Sequence, residues 1–544
     1  MAKYHEYISQ KSTPQSQPIP GREADMVKNL AGGYAFQVTH WTRLERFLIL
    51  GSEGGTYYVG ARELTVQNAQ SIRQCLKEDG KRTVDTIVGV SVTGRGAKND
   101  PAILALAMAS SPSFNNDPDI RKYALDRLSD VCRTGTHLFT FVEYVNEFRG
   151  WGRQLRNAVS NWYLDKTPEQ LAYQMAKYQR RGGWSHHDVM HMAHPRAAHP
   201  AYDLLFQWAK NGWDDESMHG VEALVQLEGM ELAKQAKSAR EIVLLIGKYR
   251  LTREMIPNAW FGDPSVWEAM LATMPMTAMI RSLGKMSEVG LLAPLSSAAV
   301  EISSRLRNQD HIRAARVHPW TLLNAQNQYA TGHGGLGSLK WIAVNSVVDA
   351  MEDAFELSFD NVIPTNKRIL IALDVSGSMS HSFIADSVKR TGWADRGMKA
   401  AQAAAAMAMI TARTEPNYHI VLFNTQAREA HIAANSSLRD VTRGIEGQIA
   451  GGTDYSAGIR YAHERKWEVD AFVVYGDEES WYGNDHTAQA VVKYRKDLNI
   501  PAKLVINNFC STQTSVADPQ DAGMANFVGM DTQTPRLISE FIRE

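Results

Sequence analysis

Cysteine is scarce in this chain of 544 residues: Cys75, Cys132 and Cys510 are too few and too widely spaced for a disulfide framework, and none belongs to a C-x-x-C zinc pair. A reducing cytosol is the expected setting. Long apolar runs are missing as well. No stretch reaches about eighteen apolar residues, and the opening MAKYHEYISQKSTPQSQPIP lacks the apolar core of a signal peptide, so neither membrane spanning nor secretion is expected. Charge of one sign is equally lacking, since 58 Lys and Arg against 59 Asp and Glu leave a formal net charge of −1. Any nucleic-acid partner must therefore be met by a local basic patch. What remains is ample apolar material, 44% hydrophobic against 22% charged residues, which describes a globular protein. The length suggests about two to four domains.

Residues 1 to about 20, with several Gln, Ser and Pro, read as a flexible tail. From Val27 to about Phe359 helical periodicity dominates. ADMVKNLAG, NAQSIRQCLKEDG, PAILALAMASS, RKYALDRLSDVCRTG, LRNAVSNWYLDK and AREIVLLIGKYRLTREMIP all carry apolar residues at three- and four-residue steps. Many moderate helices joined by short turns predict a stacked helical array, although no clean sequence period marks it. A single all-α core is disfavoured, because such cores stop growing near about 250 to 300 residues. After NVIPTNK the pattern changes: apolar runs at 369–373, 419–423, 471–475 and 503–507 alternate with helical segments, which predicts a doubly wound parallel sheet. The domains expected are thus a tail to residue 20, a helical region over 21–360 and an α/β unit over 361–544.

Within that last unit lie Asp374, Ser376 and Ser378 of LDVSGSMS, Thr453 of GGTD and Asp477 of YGDEES. Each cluster follows or adjoins an apolar run, so in an open parallel sheet all three would converge at the carboxyl ends of neighbouring strands, where such sheets bind ligands. Hydroxyl and carboxylate oxygens favour Mg²⁺, Mn²⁺ or Ca²⁺ over zinc, with magnesium the first choice. Only two of the five groups carry formal charge, so the ion would keep an open position for water, a carboxylate or a phosphate. The D-x-S-x-S, T, D pattern resembles the metal-ion-dependent adhesion site of von Willebrand factor A domains.

A second feature is basic. Between Arg121 and Arg196 twelve Lys and Arg face seven Asp and Glu, an excess of five, with Trp151, Trp162, Tyr163, Tyr178 and Trp184 interleaved. Histidines His186, His187, His191, His194 and His199 close the stretch. Cations that neutralise phosphates and planar groups that stack unpaired bases suit RNA. The same residues also fit an ordinary solvated helix face, with Trp151 and Trp162 in the core. Lys177 and Arg181 stand four apart on a helical segment and would project from one face, His194 follows one loop later, and Arg180 and His186 are further candidates. HHDVMHMAH offers histidines at helical spacing without the cysteine or H-E-x-x-H arrangement that zinc sites use.

The strings RFLILGSEGGTYYVG, VCRTGTHLFTFVEY, WGRQLRNAVSNWY, KYQRRGGWSHHD, MPMTAMIRSLGKM and RVHPWTLLNAQNQYATGHG are similar to the TROVE module of the sixty-kilodalton Ro autoantigen family and its bacterial members. With the A-type domain behind them, the resemblance covers nearly everything from about residue 25 to the end. It implies HEAT-like α-helical repeats forming a ring that a doubly wound α/β von Willebrand factor A domain, Rossmann-like in build, joins end to end. It further implies RNA binding without catalysis. Small structured Y RNA would sit on a basic outer surface, which falls here on Lys177, Arg181 and His194. Single-stranded 3′ ends of misfolded noncoding RNAs would enter the central hole of a monomeric ring. Bacterial members imply a Y RNA tether to an exoribonuclease, in RNA quality control, decay and stress recovery. His381 to Gly397 is a longer connection than animal members suggest, and it adjoins the metal cluster.

Two other functions compete. One is a scaffold whose metal captures an acidic residue of a protein partner. The other is a metal-dependent nuclease using Asp477, Glu478 and Glu479, which the hydroxyl-rich ligand set disfavours because two-metal phosphoryl chemistry relies on several carboxylates.

Overall fold

The computed structural model describes residues 11–51, 61–96, 98–196, 199–317, 319–334, 338–358, 363–380, 382, 399–433, 436–477, 480–509, 514–530 and 534–544, with 61–68, 319 and 320 described as helix backbone alone. Its strands are β1 (Met26–Lys28), β2 (Tyr34–Gln37), β3 (Arg180–Arg181), β4 (Trp184–Ser185), β5 (Ile369–Asp374), β6 (Tyr418–Phe423), β7 (Ala427–Glu429), β8 (Ala471–Gly476), β9 (Lys503–Asn508), β10 (Thr514–Ser515) and β11 (Met524–Val528).

The C-terminal unit is a six-stranded sheet in the order β11-β9-β8-β5-β6-β7, parallel except for β7. β5, β8 and β9 are buried along their whole length. That explains why they read as unbroken apolar runs: helices cover both faces of such a sheet. The alanine-rich helix Ala400–Thr414 packs on β5 and β8, its small side chains allowing close approach. β7, β10 and β11 escaped the sequence reading because they are short edge or tail strands with mixed patterns. The connection 381–397 lies outside the described residues apart from Ser382, as do Glu478, Glu479 and Cys510.

Two expectations at the N-terminus are corrected. Residues 11–20 of the expected tail are packed: Thr13 N–H donates to Gln489 Oε1 at 3.2 Å, Gln15 Nε2 to the Asp485 carbonyl at 2.9 Å, and Ile19 is fully buried. The first ten residues lie outside the described set. ADMVKNLAG, expected as helix, contains β1, which pairs antiparallel with β2, and β2 pairs in turn with β10 from the far end of the chain. Burial of Met26 and Phe36 in this three-stranded sheet overrides the local helical spacing. Arg22 adds a bidentate ion pair to Asp518 at 2.6 and 2.8 Å and a second to Asp25. The N-terminal segment is therefore a strap on the α/β unit.

Between His40 and Leu357 the described residues form an array of α-helices and short 3-10 turns, interrupted by the small β3-β4 hairpin. Its punctuation is local and chemical. Thr39, Asp79, Asp117, Thr134, Thr167, Ser185, Ser238 and Ser296 cap helices through their side chains, and proline stands in the first turn at Pro118, Pro168, Pro200 and Pro264. The main packings join helices near one another in sequence, as a solenoid requires. Both ends then meet the same unit. From the first helix, His40–Leu50, the buried Arg46 donates to the Thr514 carbonyl at 3.0 Å and to Asn526 Oδ1 at 2.9 Å. From the last, Asn345–Leu357, Glu352 accepts the Leu438 amide at 2.9 Å, and Glu356 pairs with Arg413. The array leaves the α/β unit and returns to it, so the molecule is a helical ring joined through a sheet domain.

Candidate metal centre and basic surface

In the sheet, the chain leaves β5 toward β6 on one side and returns to β8 on the other, so the strand order reverses between β5 and β8. The carboxyl ends of strands at such a switch point form the crevice where open α/β sheets hold ligands. Asp374 ends β5 and Asp477 follows β8 directly. Ser376 and Ser378 sit in the turn and 3-10 helix after β5, and Thr453 precedes the helix Ala457–Glu464.

All five are buried. Asp374 Oδ1 accepts the Ser376 amide at 2.8 Å, and the Ser376 and Ser378 hydroxyls lie 3.1 Å apart. Backbone bonds lock the three loops together: Gly377 N–H donates to the Gly451 carbonyl at 3.1 Å, Ala450 N–H to Val375 at 3.0 Å, and Trp481 and Tyr482 N–H to Thr453, each at 3.1 Å. Gly476 has to lack a side chain, because a Cβ there would lie 2.0 Å from Tyr455 Oη and 3.0 Å from Asp374 Cβ.

Electrostatically the site is unbalanced. Burial first, and then the charge of Asp477, pushes the Asp374 carboxyl well above the usual carboxylate range, while Ser376 and Tyr455 work the other way. Its Oδ2 is buried with no hydrogen-bond partner. Two adjacent buried carboxylates, one with an orphaned oxygen, beside a hydroxyl pair make an all-oxygen donor set that fits a hard divalent cation. Tyr455, two residues after Thr453, and Ser382, which donates to Asp477 Oδ2 at 3.2 Å, were missed in the sequence. GGTDY could have suggested the first. Ser382 carries no motif.

The basic candidates separate. The helix Pro168–Lys177 ends at Lys177, and Arg180 and Arg181 form β3 of a tight hairpin turned through Gly182 and Gly183, both at positive φ. Lys177 and Arg181 thus do not share a helix face. Only Arg180 and Arg181 belong to the hairpin, whose Gly-Gly turn needs two left-handed residues, while Lys177 ends the helix before it. Lys177 Nζ donates to Tyr173 Oη at 2.8 Å. Burial opposes its ammonium, but the hydrogen bond to Tyr173 and the electrostatic pull of Tyr178, Tyr173 and Glu254 outweigh that, and its pKa lies above the ordinary lysine value. Arg180 and Arg181 are exposed, and among the described residues neither guanidinium has an ion-pair partner.

His194 is exposed in the left-handed conformation, capping the helix His186–Ala193 at the end away from the hairpin, about 12 Å along its axis. His186 is corrected outright. It is 3% exposed, packed against Phe139 and Trp162, with Nδ1 3.0 Å from Tyr163 Oη, and burial pushes its pKa down to about 4. It is a neutral core residue with no access to a phosphate.

Comparison with known proteins matches this architecture. Residues 27–334 match the TROVE domain and residues 368–542 the Ro60 vWA domain. The chain is 35% identical over 539 residues to the RNA-binding protein RO60 of Deinococcus radiodurans, covering 98% of each. It is 32% identical over 589 residues to the RNA-binding protein RO60 of Caenorhabditis elegans, covering 95% of this chain and 90% of that one. The crystal structure of the Deinococcus radiodurans RO (RSR) protein has a TM-score of 0.70 at 33% identity, covering 93% of this chain and 99% of that chain. Two family domains in order and relatives spanning nearly the whole length lead to one conclusion: the chain belongs to the Ro60 family.

Proposed function

We propose that this chain is a noncatalytic RNA-binding protein. The observation that carries the reading is the Arg180–Ser185 hairpin, where the exposed Arg180 and Arg181 guanidiniums stand without an ion-pair partner among the described residues, next to Lys177 at the end of the preceding helix. Solvated cations of this kind gain by releasing the counterions of a phosphate backbone. The relatives named as RNA-binding proteins support the same reading. Lys177, Arg180 and Arg181, with His194 further along, hold small structured Y RNA on the outer surface. The passage of the ring takes single-stranded 3′ ends of misfolded noncoding RNAs, because a flexible strand can enter where a duplex cannot. The protein acts as a monomer in the cytoplasm, in RNA quality control, decay and stress response, with Y RNA tethering an exoribonuclease.

The test is a double substitution, Lys177→Ala with Arg181→Ala, assayed against a small structured RNA over a salt series. Losing two phosphate contacts weakens binding and makes the salt slope shallower by about 1.8. Unchanged affinity and slope would refute the surface.

Asp374, Ser376, Ser378, Thr453 and Asp477 are proposed to hold a divalent cation, with magnesium preferred over Mn²⁺ or Ca²⁺. When bound, it supplies an electrophilic position for an incoming oxygen. A second reading, a metal-dependent scaffold for an acidic protein partner, is favoured by one feature. Trp481 and Tyr482, 41% and 48% exposed, stand edge to face on the loop that bonds Thr453, forming an aromatic rim beside the site. Asp374→Ala should then abolish a protein contact and leave RNA affinity intact. RNA incubated with protein and Mg²⁺ stays uncut; cleavage lost in Asp374→Ala would establish a nuclease instead.

A further inference from the structure

The loop between the helices Arg153–Leu164 and Pro168–Lys177 carries a lysine whose amine is bonded to a neutral acceptor. Trp162 stands in the last turn of the first helix, where carbonyls are left over. Lys166 satisfies that carbonyl: its Nζ donates to it at 2.6 Å and lies 3.5 Å from the centroid of the fully buried Trp162 ring. Asp165 adjoins Lys166 in the chain, yet among the described residues no carboxylate forms an ion pair with it.

A carbonyl and an aromatic face do not hold an amine in its charged form as a carboxylate does. The indole attracts the ammonium. Burial acts the other way and pushes the Lys166 pKa down to about 8, with Asp165 and Cys132 opposing. At pH 8 about half of the amine is then neutral, against about 0.3% for an ordinary lysine. A neutral amine that donates one N–H to a carbonyl keeps its lone pair for an electrophile.

There is room for a reactant. Lys166 lines a cleft of ≈ 500 Å³ together with Glu169, Tyr173 and three glutamines, among them Gln170 and Gln226. A second cleft of ≈ 390 Å³ shares Glu169 and Gln226 with the first and reaches Lys248 and Arg250. The two form one groove with an amine at one end and two exposed cations at the other. Lys248 lies 4.7 Å from the Tyr249 ring centroid, and among the described residues neither Lys248 nor Arg250 has an ion-pair partner. Cations placed so favour a ligand that carries negative charge away from its reacting atom. Between the two ends, the Glu169 carboxyl is held below the usual carboxylate range by the Thr167 hydroxyl, which leaves it ionised as a proton acceptor. Gln170 Oε1 accepts the Thr167 amide at 3.1 Å, so its Nε2 remains to donate to a carbonyl oxygen.

We propose that Lys166 is an acyl-acceptor site for an acyl thioester on a phosphate-bearing carrier, with the thioester carbonyl at Nζ and the carrier's phosphates on Lys248 and Arg250. The amine lone pair attacks the carbonyl carbon, a C–N bond forms and the C–S bond breaks. The sulfur leaves with the electron pair of that bond, and the proton shed by nitrogen passes by way of Glu169 to the thiolate. One amide and one thiol replace one amine and one thioester, with no oxidant or further reactant. The product has lost its charge but keeps an N–H for the Trp162 carbonyl. The site is separate from the Arg180–Ser185 hairpin, and its test involves no RNA.

The experiment uses the full chain and acetyl-coenzyme A, with acetylation of each lysine followed in time by mass spectrometry between about pH 6.5 and 9.5. Lys166 reacts about tenfold or more faster than the exposed Lys210, and its rate levels off above about pH 8. Lys248→Gln with Arg250→Gln, both exposed positions, lowers the Lys166 rate about tenfold. The same variant reacts at the wild-type rate with S-acetyl-N-acetylcysteamine, a thioester without phosphates. Equal rates at Lys166 and Lys210 would overturn the acceptor site. A double variant slowed equally with both thioesters, or with neither, would overturn the place given to the carrier.

Discussion

Replacing Asp374 by asparagine should produce two effects of opposite sign. Without divalent ions, two carboxylates are buried side by side and Asp374 Oδ2 has no partner. Asparagine keeps the Oδ1 acceptor for the Ser376 amide and leaves an atom of similar size at the orphaned position, so the exchange mainly removes a carboxyl whose charged form burial and Asp477 oppose. An unpaired buried charge costs more than an unpaired neutral group, and the variant should be more stable than wild type in EDTA, by about 1–2 kcal/mol. Magnesium reverses the order. At roughly a hundred times its dissociation constant a ligand adds about 2.7 kcal/mol to the state that binds it. For an α/β unit of this size that raises the melting transition by roughly 5–10 °C. The Asp374→Asn variant loses one of only two charged ligands and most of that gain. Thermal melts of both proteins in EDTA and in a magnesium series would show the crossing. A variant that melts below wild type in EDTA, or that keeps the full magnesium shift, would refute the reasoning.

Three further outcomes follow from the same structure. Gly476→Ala forces a methyl group into Tyr455 Oη and Asp374; it should destabilise the α/β unit by about 1–3 kcal/mol and weaken magnesium binding, read by calorimetry. Asp518→Ala strips Arg22 of its buried partner while Asp25 remains; it should cost about 3 kcal/mol in denaturant unfolding and open the N-terminal strap to protease. His186, with its folded pKa depressed to about 4, holds fewer protons folded than unfolded, so its stabilising contribution is intact above about pH 6.5 and is lost as pH falls toward 4. That amounts to roughly 3 kcal/mol, and His186→Gln should flatten this part of the stability profile.

The convergence of Asp374, Ser376, Ser378, Thr453 and Asp477 was legible because β5 and β8 are buried on both faces and so appear as apolar runs, with Asp374 and Asp477 at their carboxyl ends. The helical array was legible from its apolar residues at three- and four-residue steps and the short turns between them. What sequence reasoning lost was everything decided by pairing across the chain. Met26–Lys28 has helical spacing and becomes a strand only because Tyr34–Gln37 and Thr514–Ser515 meet it. Lys177 and Arg181 were placed on one helix by counting four residues, although RRGGWS carries the two-residue Gly-Gly turn that should have ended the helix. His186 looked like its neighbours His187 and His191, and nothing local says that one of the three turns inward onto Phe139 and Tyr163.

The strap and the loops that carry Thr453 and Asp477 are bonded to one another. The loop after Asp477 is held from the N-terminal side: Asn29 Nδ2 donates to the Ser480 carbonyl at 2.6 Å, Gln15 N–H to Gly483 at 3.1 Å, and a Cβ on Gly33 would strike the Ser480 carbonyl at 2.2 Å. The same loop bonds Thr453 through the Trp481 and Tyr482 amides. Immediately after the strap comes His40–Leu50, whose Arg46 anchors the start of the ring to β10 and to Asn526 of β11. The loop that bonds Thr453 is thus the loop on which the strap rests, and the strap fixes where the helical array begins.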